Sequence, residues 1–241
     1  MKKLNRESLS VATLAVLEER TQQVIGAADP KAEAQRLWKQ QDNKAFEEAR
    51  ATLESMATGL HRCMYCEDSA ATDIEHFWPK SRYPDKAFTW ANYLLACSCC
   101  NSNHKREQFP LDATGTPLLL DPTAEEPREH LHLSGATGKY VPLTLKGEKS
   151  IEVFGLGRDI LEKGRKNAWR ALQALLVHYR DACQRGDEKE AQAIKHAVLE
   201  YPFASVFTWV VAIAESAEAA RFIHPHCLDV LNQYPDIKSW L

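Results

Sequence analysis

Cys63-Met64-Tyr65-Cys66 and Cys97-Ser98-Cys99-Cys100 decide how this chain is read, with Asp73-Ile74-Glu75-His76-Phe77-Trp78-Pro79 between them and Asn101 directly after. Two C-x-x-C pairs at this separation mark a tetrahedral zinc site with four thiolate ligands. Zn2+ on Cys63, Cys66, Cys97 and Cys100 is expected to be structural, because four sulfurs close its coordination sphere. Cys99 competes as a ligand, but a two-residue gap favours Cys97 with Cys100. Such an ion pins two distant knuckles and fixes the geometry of whatever lies between them. What lies there is a carboxylate beside an imidazole, Glu75 and His76. With Asn101 they suggest a second site, built from oxygen ligands and a histidine base. Oxygen donors suit Mg2+ or Mn2+, whereas thiolates suit zinc.

Working outward, Thr72 to Phe77 alternates polar and apolar residues, which suits a short strand. Adjacent strand residues face opposite sides, so Glu75 and His76 share a site only if the strand ends or bends there. Pro79 close behind supports such an end. Asn92 to Ala96 reads as a second short strand, and a helix can begin at Asn101.

Residues 1–60 read as helical. Asp29-Pro30 supplies an N-cap and a proline at the first helical position. Phe46, Ala49, Leu53, Met56 and Leu60 form one apolar stripe. Residues 111–155 are richer in Pro, Gly and Thr and are expected to form short strands and turns. Residues 156–241 return to helix, with Leu161, Ala168, Leu172, Leu175 and Tyr179 on one face and Gly186 as a stop. The fold class expected is therefore α+β and predominantly helical. Residues 61–110 form its zinc-braced core, between helical segments.

Composition narrows the function classes. The chain has 241 residues, 44% hydrophobic and 26% charged, which is ordinary for a soluble globular protein. A net charge of −3 excludes a polyanion binder that works by overall charge. Nucleic acid would need a local basic surface or a partner. Lys163, Lys166 and Arg170 make one candidate stripe, with Arg158, Lys80 and Arg82 as additions. Seven cysteines, four of them at zinc spacing, favour a reducing cytoplasm over a disulfide framework. The N-terminus lacks a signal-like apolar region. The longest apolar stretch, Phe203 to Ala214, is too short for a membrane span. A cytoplasmic protein with no membrane partner is expected.

The run Cys63-x-x-Cys66, Asp73-Ile74-Glu75-His76-Phe77-x-Pro79-Lys80, Trp90-x-Asn92, Ala96-Cys97-x-x-Cys100-Asn101 and Lys105 resembles HNH endonucleases with the ββα-metal motif. The flanks Leu120-Asp121-Pro122, His130-Leu131-His132-Leu133 and Val153 to Leu161 look like the PtuB family, the HNH nucleases of bacterial Septu anti-phage systems. The resemblance implies a metal-dependent endonuclease that hydrolyses phosphodiester bonds, DNA in preference to RNA, and acts in antiviral defence with a PtuA-like ATPase partner. It implies Glu75 and Asn101 as ligands of a catalytic Mg2+ or Mn2+, and His76 as the general base. Asn92 is expected to brace the loop and orient that base. Lys105, Arg106 and His104 become candidate nucleic-acid contacts. Two departures stand out. Glu75 replaces the Asp found in many HNH enzymes. Asn101 replaces a His, with His104 one turn further on as the other candidate ligand. The competing function is a non-catalytic zinc module that binds nucleic acid or protein.

Overall fold

The computed structural model describes residues 1–41 and 43–240. The chain opens with three capped helices. In α1 (Val11–Gly26), Ser10 accepts from Thr13 N; in α2 (Pro30–Trp38), Asp29 accepts from Ala32 N; in α3 (Lys44–Met56), Asn43 accepts from Ala45 N and Phe46 N. Each cap satisfies amides that the first helical turn leaves open. The stripe of Phe46, Ala49, Leu53 and Met56 is buried along α3, whereas Leu60 lies beyond the helix end and is exposed.

A two-stranded antiparallel sheet follows. β1 (Asp73–His76) pairs with β2 (Tyr93–Ala96) in the register Asp73 to Ala96, Ile74 to Leu95, Glu75 to Leu94 and His76 to Tyr93. All four residues of β2 are buried, so both faces of this strand are covered. The helix expected from Asn101 begins earlier, at Cys99, and is a π-helix (Cys99–Lys105). Its wider turn shows in Asn103 N donating to Ser98 O at 3.1 Å and Arg106 N to Asn101 O at 2.8 Å. Such turns recur at functional sites.

Beyond it, β3 (Leu131–Leu133) pairs with β4 (Tyr140–Pro142). The expectation of strands and turns as far as residue 155 is corrected here, because Leu145–Val153 is a helix, α4. Thr144 caps it by accepting from Gly147 N, and Ser150 and Val153 face the core. The remaining described α-helices are α5 (Asp159–Gln184), α6 (Glu188–Glu200), α7 (Ala204–Ala214), α8 (Ala219–Phe222) and α9 (Pro225–Gln233). Among the described residues the protein is thus mostly helical with two small sheets. One hydrophobic cluster joins α1 and α3 to β2, α5 and α7 through residues such as Leu17, Leu53, Leu94, Leu172 and Phe207. No single described helix is long and apolar enough to cross a membrane.

Candidate metal centre and catalytic site

The two knuckles meet. Cys63, Cys66, Cys97 and Cys100 are buried, and their sulfurs all lie within 4.8 Å of one another. A tetrahedral ion with Zn–S bonds of about 2.3 Å requires sulfurs about 3.8 Å apart. Cys66 Sγ and Cys97 Sγ are 3.8 Å apart. The donor set and its spacing therefore fit Zn2+. One backbone bond and one backbone-to-side-chain bond dock the first knuckle on the sheet: Met64 N donates to Leu95 O at 2.9 Å, and Leu95 N to Met64 Sδ at 3.2 Å. Cys100 N points at Cys97 Sγ, 3.5 Å away, within the second.

The crowded thiols titrate unequally. Hydrogen bonds from Cys100, Cys63 and Cys97 pull Cys66 far down, and bonds from Cys100 and Cys63, against Cys66, bring Cys97 to about 7. Burial pushes Cys63 up, and hydrogen bonds to its neighbours push Cys100 up. Four sulfurs cannot all ionise together here without a cation. All seven cysteines are free of disulfides.

The hairpin between the knuckles divides its side chains by strand alternation. On one face, Asp73 Oδ2 accepts from Asn101 Nδ2 at 3.2 Å, and Glu75 Oε1 lies 2.5 Å from Lys105 Nζ. Residues two apart on β1 thus meet residues four apart on the π-helix. Lys105 also donates to His76 O at 2.8 Å. Its ammonium has three donors, so one can serve this carbonyl while the charge stays paired with Glu75 Oε1. Burial raises the Glu75 carboxyl above its usual value, against the pull of Lys105 and Lys80.

His76, the last residue of β1, faces the other way. Its ring packs edge-on against Trp38 of α2, with centroids 4.2 Å apart, and against Tyr93 at 5.3 Å. Nε2 lies 2.9 Å from Ala87 O, which also accepts from Tyr93 OH. A carbonyl only accepts, so Nε2 carries the proton and Nδ1 keeps its lone pair. Burial lowers the His76 pKa to about 3, with the positive charges of Lys80 and Lys105 adding to the shift. The ring is therefore neutral at physiological pH.

Asn92 ties the loop between the strands. Its Oδ1 accepts from Trp78 N at 2.7 Å, and its Nδ2 donates to Trp78 O at 3.1 Å and Lys86 O at 2.9 Å.

The structure brings Glu75, Asn101 and Lys105 to one face and places His76 and Asn92 on the loop side. Lys105 is not a surface contact. It is fully buried, because the carboxylate and carbonyl beneath it replace its hydration. Arg106 is exposed, and His104 is half-buried against Gly155. Arg158 turns toward Cys99 and Cys100, and Lys80 lies over the Trp38 ring, so neither extends a basic surface. Lys163 and Arg170 are exposed on α5.

Sequence reasoning gave no role to Asp73 or Trp38. Asp73 was recoverable, since it stands two residues before Glu75 on the same strand face. Trp38 had no signal, because only the packing of α2 brings it to His76.

No family model matches the chain. Among curated proteins it is similar to the Septu protein PtuB of Bacillus mycoides (strain KBAB4), 31% identical over 166 residues covering 56% of this chain and 55% of that protein. It is also similar to the Septu protein PtuB of Bacillus thuringiensis, 26% identical over 129 residues covering 49% and 46%. The chain spans about half the length of the curated relatives it matches. Over about half of its own length, then, this chain is similar in sequence to PtuB proteins.

Proposed function

We propose that the chain is a metal-dependent HNH-type endonuclease that hydrolyses phosphodiester bonds, DNA in preference to RNA, and serves anti-phage defence with an ATPase partner. One observation carries the reading: a single sulfur-pinned hairpin sets Glu75 and His76 at the end of β1, with Asn101 on the helix behind the last knuckle. The likeness to PtuB supports the defence role and the partner.

Glu75 and Asn101 would hold Mg2+ or Mn2+. They fit in kind, since both offer hard oxygens. Glu75 Oε1 is paired with the Lys105 ammonium, which an ion would have to displace, and Asn101 gives its Nδ2 to Asp73, which leaves Oδ1 free. When bound, such an ion polarises the scissile phosphate and stabilises its added charge. His76 points away from Glu75 and lies under Trp38 in this conformation, so it would take the proton of the attacking water at Nδ1 only once that contact opens; Ala87 O holds the ring in the tautomer this needs. Asn92 keeps that loop in place. Exposed Arg106 is the candidate phosphate contact, while Lys105 serves Glu75.

In this fold Lys105 engages Glu75, and Trp38 covers His76. We read these contacts as a resting state of the proposed nuclease and assign their opening to the ATPase partner. The same contacts favour a second reading, a non-catalytic zinc module that binds nucleic acid or protein. Cleavage assays on DNA and RNA with Mg2+ or Mn2+, with and without the partner, separate the two. We expect cutting that needs both metal and partner and is lost in His76→Ala. A wild-type rate in that variant refutes the assigned base. No cleavage under any combination leaves the zinc module.

A further inference from the structure

The turn between α4 and α5, Phe154-Gly155-Leu156-Gly157-Arg158, touches both knuckles. Phe154 stacks on Tyr65, inside the first C-x-x-C pair, with ring centroids 3.9 Å apart and planes at 15°. Gly155 has φ +62°, and a Cβ there would lie 2.5 Å from His104 Nδ1, so only glycine lets the turn approach the π-helix this closely. Arg158 then reaches the sulfurs of the second knuckle. Its Nη1 contacts Cys99 Sγ, and its Nη2 donates to Cys100 Sγ at 3.4 Å. The Arg158 backbone is fixed because the residue is the N-cap of α5.

We propose that Arg158 is a positioning residue of the metal centre, holding the cluster through N–H to sulfur contacts and offsetting its charge. Zn2+ with four thiolates carries a net charge of 2−, here removed from water. A guanidinium in contact supplies one positive charge and withdraws electron density from Cys100. Its planar fork presents two donors toward neighbouring sulfurs, which an ammonium cannot reproduce. Cys99, which lies outside the four-sulfur cluster, receives the other prong. Residues that orient metal ligands from outside typically alter affinity by about 10–100-fold. The turn would thereby make the α4–α5 junction part of the zinc site. This assignment concerns the sulfur cluster alone and does not depend on nuclease activity.

The test uses the full chain as Arg158→Met and Arg158→Lys. Zinc transfer to a chromogenic chelator should be about 10–100-fold faster in Arg158→Met. In protein loaded with Co2+, the sulfur-to-cobalt charge-transfer band should move to lower energy, because the sulfurs lose a hydrogen-bond donor. Phe154→Leu serves as the control. It loosens the same turn without touching sulfur and should leave the band in place. Arg158→Lys should fall between wild type and Arg158→Met in both measurements, and it decides the matter if Arg158→Met does not fold. A wild-type transfer rate and band in the folded variants overturn the proposal, as does a band shift of equal size in Phe154→Leu.

Discussion

The ammonium of Lys105 lies 2.5 Å from the carboxylate of Glu75, and both side chains are withdrawn from solvent. A pair of this kind adds little net stability over an apolar replacement, yet removing one member strands the other. Lys105→Met should therefore destabilise the fold by about 3–5 kcal/mol. The double variant Glu75→Leu with Lys105→Met should recover much of that loss. Urea unfolding of four proteins, the wild type, both single variants and the double, measures the coupling. Purely additive effects would show that the two groups do not depend on each other.

His76 makes acid stability diagnostic. Its pKa is near 3 in the fold because of burial, against about 6.5 when unfolded. Above pH 6.5 both states are neutral, and the residue contributes no slope. Below that, the unfolded chain gains a proton that the native ring refuses. Stability should fall by up to about 1.4 kcal/mol per pH unit down to pH 3 from this group alone. Comparing unfolding free energies of wild type and His76→Gln from pH 7 to pH 4 cancels the carboxylates. The wild type should lose ground as pH falls, and parallel curves would contradict a buried neutral imidazole.

Metal removal should act on the fold itself. Cys63→Ser opens the cluster, and a chelator should bring the wild type to a similar melting temperature. Each kcal/mol lost lowers Tm by about 2–4 °C in a chain of this size. A chelator-treated wild type that melts as before would remove zinc from the structural account.

Asn92 offers a local test. Asn92→Ala leaves Trp78 N, Trp78 O and Lys86 O without their side-chain partner. A cost of about 2–3 kcal/mol is expected, since net hydrogen bonds are worth about 1 kcal/mol each. Limited proteolysis should cut faster between residues 77 and 92. An unchanged digestion pattern would show that the loop is held by other contacts.

What was legible in the sequence was what spacing alone dictates. The C-x-x-C pairs announced the sulfur cluster, and the alternation around Glu75 announced the strand; the bend that was to bring Glu75 and His76 into one site is absent, because β1 runs through His76 and keeps the two on opposite faces. The helical ends were legible through periodicity and capping residues. Lys105 was misjudged because a lysine's default is the surface, and only the assembled hairpin supplies a buried carboxylate and carbonyl to receive it. The helix α4 was hidden by Gly and Thr around a capping residue, Thr144, whose role depends on the turn it closes. Arg158 looked like one more surface cation, since nothing local to it names sulfur as its partner.

Glu67, directly after the first knuckle, binds Ser205 of α7, accepting from Ser205 N at 3.1 Å and from its hydroxyl, across 138 positions of chain. A ribosome adds roughly 5–20 residues per second. The nascent knuckles are therefore exposed for on the order of ten seconds before this partner emerges. The four cysteines are thus all made well before α7 arrives to close over Glu67 and the first knuckle.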